Sequence, residues 1–290
     1  MMLTLGEWPE LTVVTEEQRF ELVLKSLDSN ERSPTLSDEQ LQKTVFEKNR
    51  QLNFISIAGC GLSYLSPSIA VCSHLTKLVI IRNELVSVPE ELGTLSKLVF
   101  IDLSSNKIEK LPASLSKLVK LETLVLSGNQ LTDEGLFDFS ALEALHVVDL
   151  SHNQLTVVPK TLTGGRLVHL HTLNLSQNKI KDVTPELTVI EHLKTLNLSE
   201  NELNALPWAI GQMEKIRFLD LSQNPFKDGR FKKLSNDKRA KVSAVVAYIA
   251  KNAPKTSKPV TSESEATETK ASDDKSDEGS LLVRIGVPNA

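Results

Sequence analysis

An eleven-position pattern, apolar-x-x-apolar-x-apolar-x-x-Asn-x-apolar, recurs along this chain at a nearly fixed interval. One copy is Leu98, Ile101, Leu103, Asn106 and Ile108, and the next is Leu121, Leu124, Leu126, Asn129 and Leu131. Others are anchored on Asn83, Asn153, Asn178, Asn201 and Asn224, and an earlier one (Leu52, Ile55, Ile57, Cys60, Leu62) carries cysteine where the rest have asparagine. The eight anchors at 60, 83, 106, 129, 153, 178, 201 and 224 are separated by 23, 23, 23, 24, 25, 23 and 23 residues. Composition alone does not generate such a period. Self-similarity at a fixed interval of about 20–50 residues marks a chain of stacked units, none of which can bury its apolar face alone.

Each position in the unit has a physical reading. The apolar-x-apolar centre alternates with period two, which is a short strand with one buried face. Stacked copies place these strands side by side, about 4.8 Å apart, in a parallel sheet. The asparagine enters the interior where the chain turns away from the sheet, and its amide can satisfy backbone groups that would otherwise be buried without partners. Pro89, Pro112, Pro159 and Pro207 each fall six residues after an anchor. Proline there fixes φ, removes a donor, and holds the outer arm extended or in a short helical turn. The pattern resembles the short intracellular type of leucine-rich repeat, in which cysteine is the accepted alternative to the asparagine. The resemblance covers nearly all of residues 50–228 and implies an α/β solenoid, a right-handed horseshoe with a concave parallel sheet.

Solenoid ends expose apolar faces and need caps. Thr15 followed by Gln18 has the form of a capping box, and Phe20, Val23, Leu24 and Leu27 then share one helical face. Ser37 with Gln40 repeats the signature ahead of Leu41 and Val45. Residues 1–49 are therefore expected to form a helical cap. Beyond the repeats, Val242, Val245, Val246 and Ile249 lie at helical spacing and Pro254 stops the run, so 229–253 is read as the closing region with its helix over 236–251. Residues 254–280 turn to Ser, Thr, Glu, Asp and Lys with no apolar period, the composition of a disordered linker. Residues 281–290, with Leu281, Leu282, Val283 and Ile285, read as the opening of a further domain, the alternative being a short segment that docks elsewhere.

Aromatics make up only 4% of the chain, as expected of many thin leucine layers in place of one large mixed core, and the formal charge of −4 decides nothing about partners. The amino terminus has no basic stretch and Glu7 breaks its apolar run, which does not read as a secretory signal. No apolar run approaches the roughly 18–20 residues of a membrane span. Two cysteines, Cys60 and Cys72, fit a reducing compartment better than a disulfide framework, so the expected location is the cytoplasm. The Asn-Leu-Ser matches at Asn174 and Asn197 lie within predicted strands and are read as accidental glycosylation sequons.

Three patches narrow the resemblance. "WPEL" at 8–11, "SIAGCG" at 56–61 and "FKDGRFKKLSNDKRAKVSAVVAYIAK" at 226–251 look like the family of leucine-rich repeat-containing protein 47. Members of that family carry, beyond the repeats, a domain resembling the B3/B4 region of the phenylalanyl-tRNA synthetase beta subunit, which implies an association with RNA or translation. No residue of such a domain is found in these 290 residues, so none of its features is carried over.

The concave face is the expected contact surface for a protein partner, because it is broad, rigid and presents one side chain per strand position. Most of its columns read Asp, Asn, Thr and Ser, among them Asp102, Asp149 and Asp220, which is also what this repeat class looks like without any ligand, and Phe218 is a further candidate on the same face. Lys77, Val79, Ile81, Arg82 and Phe100 depart from that pattern, and an apolar group rimmed by charge is a candidate contact patch unless the amino-terminal cap covers it. Asp149, Ser151 and His152 do not read as a triad, since successive strand residues alternate faces, and no nucleophile elbow, phosphate loop or metalloprotease motif occurs. His146 and His171 occupy equivalent positions in successive repeats but lack the carboxylate or thiol of a good metal site. No enzyme activity, cofactor, metal or small-molecule substrate is expected. Residues 227–258 hold ten Lys or Arg against Asp228 and Asp237, followed at 261–280 by seven acids against two lysines. Lys232, Lys233, Lys238 and Arg239 are the candidate nucleic-acid contacts, the competing readings being a solvated cap face or one masked by the acidic stretch.

Overall fold

The computed structural model describes residues 20–25, 36–41, 46, 49–164 and 166–251, and within them nine strands pair in sequence order as one parallel sheet. The strands are β1 (Glu21–Lys25), β2 (Phe54–Ala58), β3 (Lys77–Ile81), β4 (Phe100–Asp102), β5 (Thr123–Val125), β6 (Val147–Asp149), β7 (Thr172–Asn174), β8 (Thr195–Asn197) and β9 (Phe218–Asp220). From β2 onward the register follows the repeat, aligning Phe54, Lys77, Phe100, Thr123, Val147, Thr172, Thr195 and Phe218 in one row. The next residue in β2 to β8 is fully buried, from Ile55 through Ile101 to Leu196. On the far side of the core the chain returns through 3-10 turns such as Glu90–Thr94, Ala113–Lys117 and Trp208–Gln212. Pro89, Pro112 and Pro207 precede these turns with φ of −72°, −70° and −66°, where the pyrrolidine ring costs nothing.

The anchor asparagines join adjacent repeats. The Asn129 amide donates to the carbonyls of Leu103 (3.0 Å) and Leu126 (2.9 Å), and its oxygen accepts from the Ile108 N–H (3.0 Å). Asn106, Asn153, Asn178, Asn201 and Asn224 repeat that geometry, all of them buried. Asn83 starts the ladder by accepting from the N–H groups of both Cys60 and Leu62. The preceding residue swings each asparagine inward through a left-handed backbone conformation, with φ of 53–57° at Arg82, Ser105, His152, Gln177, Glu200 and Gln223. Only Gly59 and Gly128 meet this requirement with a residue that adopts it freely.

The amino-terminal end differs from the helix expected around Phe20–Leu27. Residues Glu21–Lys25 form β1, which pairs with β2 and buries Leu22 and Leu24 completely while Phe20 and Val23 stay 57% and 50% exposed. A strand succeeds here because it satisfies the backbone edge of β2, and edge groups left open are costly. Thr15, Gln18 and Leu27 lie outside the described residues. The second expected helix begins where Ser37 places it, as α1 (Asp38–Leu41), and the Asp38 carboxylate accepts from the Ser66 N–H at 2.7 Å.

At the other end the closing helix is shorter than the expected 236–251. It is α3 (Val242–Lys251), preceded by α2 (Gly229–Ser235), which the apolar spacing did not reveal. Asp228 caps α2 by accepting from the N–H groups of Arg230 and Phe231, and an Asp237 turn separates the two helices. Val245 and Ile249 are buried against the last repeat. A Cβ on Gly211 would stand 2.5–2.8 Å from Ala250 backbone and side-chain atoms, so only glycine lets α3 approach this closely. Asn236 closes the sheet's end: its side-chain oxygen accepts from the Gln223 N–H, the role that Ser222 O plays for Glu200 one repeat earlier. The expected linker at 254–280 and the apolar segment 281–290 lie outside the described residues.

Two outcomes test this core. Asn129→Ala leaves the Ile108 N–H without its buried acceptor, takes one of two asparagine donors from the Leu103 and Leu126 carbonyls, and should cost about 1–3 kcal/mol in chemical denaturation. An unchanged unfolding midpoint would contradict the interior placement. Burial pushes the Cys72 thiol up to about 12. Because the thiolate is the reactive form, a chromogenic disulfide reagent at about pH 8 should leave Cys72 unmodified until the chain is denatured. Rapid native labelling would contradict its packing.

Candidate interaction surface

Alternation along each strand turns one set of side chains away from the core, and the parallel register gathers them into columns. The first column runs Glu21, Phe54, Lys77, Phe100, Thr123, Val147, Thr172, Thr195, Phe218. The second runs Val23, Ser56, Val79, Asp102, Val125, Asp149, Asn174, Asn197, Asp220. The open face therefore has two chemically distinct halves.

The half over β5 to β9 is polar and largely satisfied within itself. Asp149 Oδ1 accepts from the Ser151 N–H (2.9 Å) and hydroxyl (2.6 Å), and its Oδ2 accepts from Asn174 Nδ2 (3.2 Å). Asn174 and Asn197 hold Ser176 and Ser199 in the same way, and Asp220 holds Ser222. Asp102 accepts from the Ser104 N–H at 2.9 Å. Asp149, Asp220 and Asp102 thus brace the turn that follows each strand. The hydroxyl of Ser151 donates to Asp149 and is buried, so it is not poised as a nucleophile. Phe218 is 49% exposed but stands on β9, far along the sheet from Phe100.

The half over β1 to β4 is mainly apolar and cationic, with Glu21 and Asp102 as its acidic positions. The Lys77 ammonium lies 5.2 Å from the Phe54 ring centroid and 4.7 Å from that of Phe100, held between two aromatic faces. Each such contact contributes about 0.5–1 kcal/mol at an exposed site. Among the described residues no carboxylate pairs with Lys77, Lys25 or Arg82. Val79 and Ile81 lie beside Lys77 on β3, half-exposed, and Arg82 is exposed on the left-handed turn that follows. Lys77, Val79, Ile81 and Phe100 are therefore one cluster, to which β1 adds Glu21, Val23 and Lys25. Reading that segment as a helix hid those three; the inward pair Leu22 and Leu24 was the available signal.

Lys232, Lys233, Lys238 and Arg239 are all exposed, on α2 and the turn after it, against the last repeat and away from this cluster. The Tyr248 hydroxyl, with help from the Phe231 N–H, holds the Asp228 carboxyl below its usual range. His146 and His171 do meet, with ring centroids 5.6 Å apart, and His169 joins them, which equivalence between repeats did not reveal. Among the described residues no group of three or more His, Cys, Asp and Glu has the arrangement of a metal site. No helix among them is long and apolar enough to cross a membrane.

Models of the leucine-rich repeat match residues 73–131 and 168–226, and a two-copy leucine-rich-repeat model matches 143–188. Podocan-like protein 1 of Homo sapiens is 33% identical over 150 residues, covering 51% of this chain and 24% of the relative; the Mus musculus protein is 37% identical over 159, covering 52% and 23%. The chain thus spans about a quarter of the length of these curated relatives. Among solved structures, the leucine-rich-repeat ectodomain of the plant receptor kinase GASSHO1/SCHENGEN3 from Arabidopsis thaliana, in complex with CASPARIAN STRIP INTEGRITY FACTOR 2, superposes with a TM-score of 0.55 at 28% identity, covering 70% of this chain and 24% of that one. An internalin from Listeria monocytogenes superposes at 0.59 with 22% identity, covering 79% and 61%, and shows the fold alone. The period, the parallel register and these matches agree: the chain contains leucine-rich repeats, folded as an open parallel solenoid.

Proposed function

We propose that this chain is an intracellular, non-enzymatic scaffold whose contact centre for a protein partner is the open face of β1 to β4. The observation that carries the reading is Lys77 held between Phe54 and Phe100 with no carboxylate partner among the described residues. Half-exposed aromatics and a pre-positioned cation are the groups that concentrate binding energy at protein interfaces, because little rotamer freedom remains to be lost. Val23, Val79 and Ile81 supply the apolar surround. The surface fits a partner segment that brings an aliphatic side chain to the valines and a carboxylate to Lys77. The GASSHO1/SCHENGEN3 ectodomain, solved in complex with CASPARIAN STRIP INTEGRITY FACTOR 2, supports binding as the role of such a solenoid.

A second reading rests on the cap. Lys227, Arg230, Lys232, Lys233, Lys238, Arg239, Lys241 and Lys251 are all exposed there, against Asp228 and Asp237. The cap sequence is also the longest patch resembling the family of leucine-rich repeat-containing protein 47, whose further domain ties that family to RNA. On this reading the chain is the repeat half of a translation-linked protein, and RNA affinity of the cap would fall steeply with salt as counterions are released.

One set of variants separates the two. Lys77→Glu with Phe100→Ala should reduce capture of the protein partner by roughly tenfold or more, and replacing Lys232, Lys233, Lys238 and Arg239 by Ala should leave it intact. The reverse pattern, together with submicromolar, salt-sensitive binding of tRNA, would overturn the first reading in favour of the second.

A further inference from the structure

Four of the chain's 6 histidines, His146, His169, His171 and His192, fall just before strands β6, β7 and β8. The fold places them together. The residue preceding each strand donates its N–H to the carbonyl of its counterpart one repeat earlier: His146 to Glu122 (2.8 Å), His171 to His146 (3.0 Å), Lys194 to His171 (2.9 Å) and Arg217 to Lys194 (2.8 Å). These residues therefore stand in one row at the strand spacing of about 4.8 Å. Across one buried apolar residue (Leu170, Leu193 or Ile216), a second row carries His169, His192 and Lys215, all exposed.

The histidines interact. His146 stacks on His169 (centroids 5.5 Å apart, planes at 20°) and meets His171 edge-on. The His146 Nδ1 is buried with no hydrogen-bond partner among the described residues, whereas His171 Nδ1 lies 3.0 Å from the Thr172 hydroxyl. Burial, then His146 and Lys194, hold His171 below the ordinary histidine value, so it resists protonation in the unliganded chain. The permanent cations Lys194, Lys215 and Arg217 are exposed and, among the described residues, none is in an ion pair. The charged neighbours are Glu122 and Lys120 from the β5 side, Glu143 ahead of β6, and Glu191 and Glu214 beside His192 and Lys215. Four histidines therefore share this rim with three permanent cations, and histidine is the side chain whose ordinary pKa lies in the mildly acidic range.

We propose that this strand-start rim is a second contact surface, separate from the Lys77 cluster, that takes a carboxylate-rich segment of a protein partner and tightens as pH falls. Lys194 and Arg217 attract the segment at any pH. A carboxylate seated beside them offsets the repulsion from Lys194 and raises the His171 pKa, so binding takes up protons. By linkage, affinity then rises as pH falls towards the bound-state pKa. The two rows carry no Phe, Tyr or Trp on which bases could stack, which favours an acidic peptide over single-stranded nucleic acid.

A fluorescent deca-aspartate peptide is a suitable probe, since its carboxylates stay ionised across the range. The full chain should bind it roughly tenfold tighter at about pH 5.5 than at about pH 7.5. The basic cap at 227–251 contains no histidine, so any binding there adds a pH-independent background. His169→Gln with His171→Gln should reduce the pH ratio to below about twofold, and Lys194→Gln with Arg217→Gln should weaken binding at both pH values. In the unmodified chain, NMR titration should show the His171 pKa rising when the peptide is added, a readout independent of whether the variants fold. A pH ratio that survives the histidine changes, a His171 pKa unmoved by saturating peptide, or an oligouridylate that binds more tightly than the peptide would each overturn the proposal.

Discussion

The amide of a buried asparagine, repeated once per turn of the solenoid, is the interaction on which this structure depends. A parallel strand of three residues cannot satisfy the backbone where the chain leaves the sheet, and those N–H and C=O groups face an interior built almost wholly of leucine. One asparagine side chain supplies both a donor and an acceptor to that gap. Because it reaches across to the neighbouring repeat, as Asn129 does to Leu103 and Ile108, it also sets the register between units. The cost is backbone strain in the preceding residue, which takes a left-handed conformation before every anchor asparagine and is a glycine only before Asn129.

That rigidity organises the surface. With register fixed, every outward position becomes a column, and chemistry can change along it without disturbing the core. From β6 to β9 the second column holds Asp149, Asn174, Asn197 and Asp220, which bond the serines after them and brace the turns. Over β1 to β4 they hold two phenylalanines around a lysine. At the strand starts they hold histidines and cations. The same ladder therefore presents three different surfaces, and the partner chemistry of each follows from which side chains its columns carry.

Much of this was legible in the residues. The anchors gave the strands from Phe54 to Asp220 and the burial of each asparagine, because period and side-chain chemistry point the same way. The segment at Phe20–Lys25 was not legible, since Leu22, Val23 and Leu24 satisfy helical and strand spacing alike over so short a run; pairing with β2 decided it. The helix Gly229–Ser235 was hidden because its stability comes from the Asp228 cap and Phe231 burial more than from an apolar stripe. Sequence spacing likewise listed Asp149 beside Lys77 as a contact candidate. Only side-chain geometry distinguishes a carboxylate engaged by Ser151 and Asn174 from a cation that has none among the described residues.

Native-state hydrogen exchange addresses the ladder directly. The amides of Leu85, Ile108, Leu131, Leu155, Ile180 and Leu203 each donate to the asparagine of the following repeat. They lie in turns, where ordinary amides exchange readily. If the asparagines hold the repeats together, these six should exchange as slowly as the strand amides of Leu124 and Leu173, through cooperative opening. Exchange at the rate of exposed loop amides, with the strands still protected, would contradict the account.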